Sequence, residues 1–99
     1  MLTFEINDSI TATIEVTMLN AHNAPGIFHQ LEELAREHPK DLVLNLTNVT
    51  SCDSSTIALF VELQSTLKDL GRRLTLTNVA PFVLKVFDML HIAKFFKIE

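Results

Sequence analysis

The sequence predicts an α/β fold: a mixed β-sheet of four to five strands packed with about three α-helices, in a single domain spanning residues 1–99. Two features carry that expectation. An apolar run, Leu42-Val43-Leu44-Asn45-Leu46, leads through Asp53-Ser54-Ser55-Thr56 into a long stretch of helical periodicity. Around it, strand-like and helix-like segments follow the order strand, strand, helix, strand, helix, strand, helix, strand, the pattern of helices layered on a sheet by crossover connections.

Each element has its own local cause. Thr3 to Ile6 and Ile10 to Met18 alternate polar with apolar residues across Asn7-Asp8-Ser9, whose side chains favour turns, so they read as a β-hairpin. Asn20 to Ala24 is a loop. Pro25 suits the first turn of a helix in which Ile27, Phe28, Leu31, Leu34 and Ala35 recur at helical spacing, and His38-Pro39 ends it. Leu42 to Leu46 has the near-continuous apolar character of a central strand covered on both faces. Ser54 to Leu70 is the second helix, with Gly71 as its left-handed cap. Leu74 to Thr77 is a strand, Asn78 to Pro81 opens a third helix with Val83, Val86, Phe87 and Leu90 inward, and a short last strand is expected near Phe95 to Ile98.

Composition narrows the functional classes. Ninety-nine residues with 47% hydrophobic content suit one small folded domain and not a disordered chain. The net charge of −4 and eight scattered basic residues disfavour a phosphate-backbone ligand, so no nucleic acid is expected. With no signal-like segment and no apolar run of about 18 residues, the chain reads as cytoplasmic, without direct membrane insertion. Cys52 is the single cysteine, which leaves no intrachain disulfide and no multi-cysteine metal site; it reads as a small buried residue. No cofactor and no metal is expected.

The Asp53-Ser54-Ser55-Thr56 turn is the candidate site. A strand feeding a helix through an acidic-serine turn puts a hydroxyl at a helix N-terminus, where unpaired N–H groups and the helix dipole favour negative charge, a phosphate included. Capping alone also explains an Asp-Ser pair. At 100° per residue, Leu59, Phe60, Leu63, Leu67 and Leu70 share the arc that docks on the sheet. Ile57, Ala58, Val61 and Ser65 hold a different arc, close to Ser54, whereas Ser55 falls with Glu62, Thr66 and Asp69 on an acidic arc that would repel an added phosphate. The small apolar arc is either covered by the chain's own loops or open to a protein partner.

These residues carry a family resemblance. The stretch from Leu42 to Ser55 resembles the apolar strand, the "Asp/Asn-Leu-x-x-Val" step (here Asn45-Leu46-Thr47-Asn48-Val49) and the Asp-Ser-Ser turn of the STAS domains. These are the sulfate-transporter and anti-sigma-factor-antagonist domains, and the likeness is to the bacterial anti-sigma factor antagonists in particular. Ala80 to Ile92 is similar to the family's third helix and following turn. The resemblance implies phosphorylation of Ser54, the serine after Asp53, by a partner that is both anti-sigma factor and serine kinase of the GHKL ATPase type. A metal-dependent serine phosphatase of the PP2C type would reverse the mark. It implies further that the unphosphorylated form binds the kinase and releases its target, with Asp53, Ser55, Thr56 and Asn20 beside the switch; the helical phase makes Ile57, Ala58 and Val61 the candidate partner surface.

Three positions depart from the family pattern: Thr56 where a glycine is usual, Asn20 where an aspartate is common, and His91 in a turn that often holds glycine. Thr56 is expected to leave a bulkier, hydroxylated rim. An enzyme is disfavoured because the Gly-x-Ser-x-Gly pattern of a nucleophile elbow is absent and His22, His29 and His38 form no recognisable catalytic or metal pair. The remaining rival is a non-catalytic STAS accessory subunit that binds the ATPase of a membrane transport complex.

Overall fold

The computed structural model describes residues 1–99. In chain order the elements are β1 (Leu2–Ile6), β2 (Ile10–Ile14), β3 (Met18–Leu19), α1 (Ala24–Glu37), β4 (Leu42–Asn45), β5 (Ser51–Cys52), α2 (Ser54–Asp69), β6 (Leu74–Thr77), α3 (Pro81–Met89), a 3-10 turn at Ala93–Phe95, and β7 (Lys97–Ile98). Five strands form one sheet in the order β1-β2-β4-β6-β7, and β3 pairs with β5 in a separate two-stranded sheet. Only β1 and β2 are antiparallel; every other pairing is parallel.

That order places the helices. Parallel crossovers are right-handed in nearly all proteins, so strands that advance steadily in one direction stack every connecting helix on the same face. Burial follows. Ile10, Ala12, Ile14, Leu42, Leu44, Leu74 and Leu76 are buried, while, of the alternating residues, Thr11, Thr13, Val43, Asn45 and Thr77 are exposed or half-buried and Thr75, paired with Val43, alone is buried, at 8%. The central strand β4 is therefore covered on one face and not on both, because no crossover reverses direction to bring a helix to the second face.

The N-terminal hairpin is also shorter than its alternation suggests. After Ile14 the chain leaves the large sheet, and Asn48 draws it aside by donating from Nδ2 to Glu15 Oε1 at 2.6 Å. Residues Met18 and Leu19 then pair with Ser51 and Cys52. This small sheet extends the rim at which α1 and α2 begin, and adds Leu19, Val49 and Cys52 to the core.

The core is one cluster of 23 buried residues. An aromatic chain runs through it. Phe60 of α2 meets Phe28 of α1 with ring centroids 4.9 Å apart and Phe87 of α3 at 5.3 Å, both edge-to-face, and Phe87 meets Phe96 at 5.2 Å. Such pairs contribute about 0.5–1.5 kcal/mol each beyond the burial of their area. All three helices are thus joined through one ring. The inward positions of α1 match its periodicity, with Ala24 added; on α3, Val83 and Phe87 are buried, Val86 is half-buried, and Leu90 turns outward at 49% exposure.

Two helices end alike. At the end of α2, Gly71 N–H donates to the Lys68 carbonyl and Arg72 N–H to that of Leu67; at the end of α3, His91 N–H donates to the Asp88 carbonyl and Ile92 N–H to that of Phe87. Both are Schellman motifs, which need a left-handed residue after the cap. Gly71 takes φ +74° at little cost, whereas His91 takes φ +58° with a Cβ.

Two expectations follow for stability. Phe60→Ala should cost about 3–5 kcal/mol, since it empties a fully buried site and breaks both aromatic contacts, and denaturant unfolding reads this directly. His91→Gly should raise stability by about 0.5–1 kcal/mol while Gly71→Ala lowers it by about 1 kcal/mol, measured the same way; equal effects of the same sign would contradict the left-handed geometry.

Candidate functional site

The rim sheet assembles the site. Asp53 N–H donates to the Leu19 carbonyl at 3.1 Å, one step past the Leu19–Cys52 pairing, so the loop beginning at Asn20 lies beside the turn beginning at Asp53. The starts of α1 and α2 therefore share one edge of the molecule.

At α1, two asparagines build the start. Asn20 Oδ1 accepts from the backbone N–H groups of His22 and Asn23, at 2.9 and 3.1 Å, while Asn23 Oδ1 accepts from Asn20 N–H at 2.9 Å. The pair has the reciprocal pattern of a capping box but closes the turn that precedes α1, and Asn23, the cap of the helix itself, makes no side-chain bond to the first turn. Asn23 Nδ2 also donates to the Met18 carbonyl at 2.8 Å, tying the turn to β3. The carbonyl oxygen of the Asn20 side chain is thus engaged by the backbone, and the side chain carries no charge to this edge. His22 takes part in the turn only through its main chain, and His29 lies out on the exposed surface, 2.8 Å from Glu33.

At α2, Asp53 is the cap, with φ −90° and ψ 169°. Its Oδ1 accepts from Thr56 N–H at 3.2 Å and from the Ser55 hydroxyl at 2.6 Å, and its backbone carbonyl accepts from the Thr56 hydroxyl at 2.8 Å. Thr56 is completely buried. The expected hydroxylated rim is absent because this side chain folds back under the turn, where its hydroxyl finds a partner and its methyl joins the core side of the helix. Ser55 is exposed but bonded to the cap. Ser54 is exposed, and the turn engages neither its hydroxyl nor its charge-favouring position at the first residue of the helix.

The apolar arc of α2 divides. Ile57 is 5% exposed and belongs to the core cluster, so it packs inside and offers no surface to a partner. Ala58 and Val61 remain outside, Val61 at 44% exposure, and they continue from Ser54 at helical spacing of four and three residues. Met18, 49% exposed on the same rim, and Asn23 were not singled out by the sequence; Met18 falls on the inward phase of an alternation that the structure interrupts.

Cys52 is 6% exposed beneath the turn. Burial pushes its thiol above the ordinary range, the Thr56 hydroxyl partly offsets this, and the Asp53 carboxylate adds to the rise. A protonated, covered thiol is a poor nucleophile. None of the five surface pockets is lined by Asp53, Ser54, Ser55 or Thr56, so the turn is presented on an open surface and not in a cleft. Such a surface can receive a group or a partner; it does not enclose a substrate.

The STAS domain family model matches residues 3–99, and the chain belongs to that family. Solved structures share the fold. One is a protein from Thermotoga maritima assigned as an anti-sigma factor antagonist, at TM-score 0.82 and 21% identity, covering 98% of this chain and 84% of that one. Another is an anti-sigma-factor antagonist (STAS) domain protein from Planctomyces limnophilus, at TM-score 0.87 and 17% identity over 98% and 87% of the two chains. The Bacillus cell fate determinant SpoIIAA in its phosphorylated form aligns at TM-score 0.74 and 17% identity over 100% and 91%. No curated protein sequence matches the chain. No helix is long and apolar enough to cross a membrane.

The buried thiol gives a direct check on this geometry. The native chain should react with a neutral alkylating reagent at pH 8 at least about tenfold more slowly than the same chain in denaturant. Equal rates, read by mass spectrometry, would mean that Cys52 and the turn above it are open to solvent.

Proposed function

We propose that this STAS domain is an anti-sigma factor antagonist that works as a partner switch controlled by phosphorylation of Ser54. The observation that supports the reading most is the division of labour at the α2 cap. Of three consecutive hydroxyls, Ser55 is bonded to Asp53 and Thr56 is buried, while Ser54 stands exposed at the positive end of a 16-residue helix. The unmodified domain binds an anti-sigma factor that is also a serine kinase of the GHKL ATPase type, and releases that partner's target. A PP2C-type phosphatase resets the switch. The domain itself is non-catalytic and acts in the cytoplasm.

The mechanism requires no large motion. A phosphate brings about −1.5 to −2 charge and a strong demand for solvation. It sits beside Ala58 and Val61, the exposed apolar positions that follow Ser54 along α2. At that contact the charge must either be desolvated or hold the partner away, and each ~1.4 kcal/mol so lost weakens binding tenfold. The fold tolerates the mark because negative charge at a helix N-terminus is itself favourable by about 0.3–1 kcal/mol. The uncharged Asn20 leaves one fewer carboxylate near the phosphate than the family commonly has.

Affinity capture with the unmodified chain, followed by ATP and phosphopeptide mapping, tests the reading. One partner should both bind and phosphorylate the domain, with the mark on Ser54; a dominant mark on Ser55 or Thr56, or capture of a transport ATPase in place of a kinase, would overturn it. Ser54→Asp should weaken capture by about tenfold or more with the melting temperature nearly unchanged. Val61→Asp should also abolish capture and spare the fold, whereas Leu63→Asp, which forces charge into the core, should destabilise by several kcal/mol.

A further inference from the structure

We propose a second binding site, for a small phosphorylated ligand, in the groove between the C-terminal half of α2 and β7. Gln64, Lys68, Arg72, Arg73, Leu74 and Lys97 line a depression of about 270 Å³ there. Four of the chain's eight basic residues therefore meet in one groove, in a chain whose net charge is −4. Clustering of this degree is not what a solvated, evenly charged surface produces. The groove lies about 20 Å along α2 from Ser54, at 1.5 Å per residue, so it is separate from the phosphorylation turn.

Its walls are preformed. The Arg72 guanidinium is held by the carbonyls of Ala35 and His38, at 2.9 and 3.1 Å from Nη1, and Gln64 Nε2 donates to the Phe95 carbonyl at 2.6 Å. Lys68, Arg73 and Lys97 are exposed. Two carboxylates stand nearby. Asp41 Oδ1 accepts the Arg73 backbone N–H at 2.9 Å, and Glu99 pairs with Lys97 at 3.3 Å, both of the latter side chains more than half exposed. An exposed pair of that kind is held weakly and exchanges readily for a doubly charged ligand.

The chemistry of the lining selects the ligand. With Arg72 engaged by the Ala35 and His38 carbonyls, Arg73, Lys68 and Lys97 remain to hold a phosphate, the arginine by its fork of N–H donors and the lysines as point charges. Leu74 is the only apolar residue in the lining, so no platform exists for a large ring system, and the volume falls below the ~300–1,000 Å³ of sites for drug-sized molecules. A pyrophosphate or sugar phosphate fits this description better than an intact dinucleotide. The negative end of the α2 dipole lies close by and works against an anion, so the basic side chains must supply the attraction.

Inorganic pyrophosphate titrated into the ¹⁵N-labelled full chain at low salt is the test. Saturable shifts are expected at Gln64, Lys68, Arg72, Arg73 and Lys97. The double variant Lys68→Gln/Arg73→Gln should bind at least about tenfold more weakly at unchanged melting temperature, while the charge-matched control Arg36→Gln/Lys85→Gln stays within about twofold of the parent chain. Unsaturable shifts, shifts centred on residues 53–56, or equal losses in both double variants would overturn the proposal.

Discussion

The handedness of the crossovers is the constraint on which the rest of this molecule depends. Once β2, β4, β6 and β7 run parallel and advance in one direction, right-handed connections leave α1, α2 and α3 no choice of face. One side of the sheet becomes the core side, and its alternate residues are aliphatic; the other is a lattice of threonines with Val43 and Asn45 between them. The same constraint brings the helix starts after β3 and β5 to a common rim. Site and core are thus two results of one topological fact.

Much of this was legible in the chain itself. The extents of α1 and α2, the glycine after α2 and the capping role of Asp53 all follow from local chemistry, because periodicity and caps act over a few residues and need no knowledge of distant partners. The rim sheet was not legible. Two strands of two residues each carry no period, and their pairing joins segments 33 residues apart. The burial of Ile57 and Thr56 was not legible either, since helical phase assigns a residue to an arc but does not say which arcs the rest of the chain covers. The open face of β4 was hidden for a related reason: Val43 is apolar, and a lone valine on an open face looks in sequence like a residue on a covered one.

Energetically the two regions differ in scale. The aromatic chain through Phe60 joins three helices at a site where one truncation removes a large share of a small domain's stability, which is typically 5–15 kcal/mol in total. The turn at Asp53 involves caps worth about 1 kcal/mol each. Charge can therefore be added or removed at the exposed Ser54 position at a cost small against the stability of the whole domain.

The Asp53 cap has a consequence for chemistry as well as for folding. Ser54, Ser55 and Thr56 present a modifying enzyme with three near-equivalent nucleophiles in an unfolded peptide, and a kinase reading such a peptide would have to discriminate among them by its own contacts. In the folded chain one oxygen is already donating to a carboxylate and another is sealed from solvent. The cap thus leaves three neighbouring hydroxyls in three different states: one bonded to a carboxylate, one sealed from solvent and one, on Ser54, without a partner in the turn.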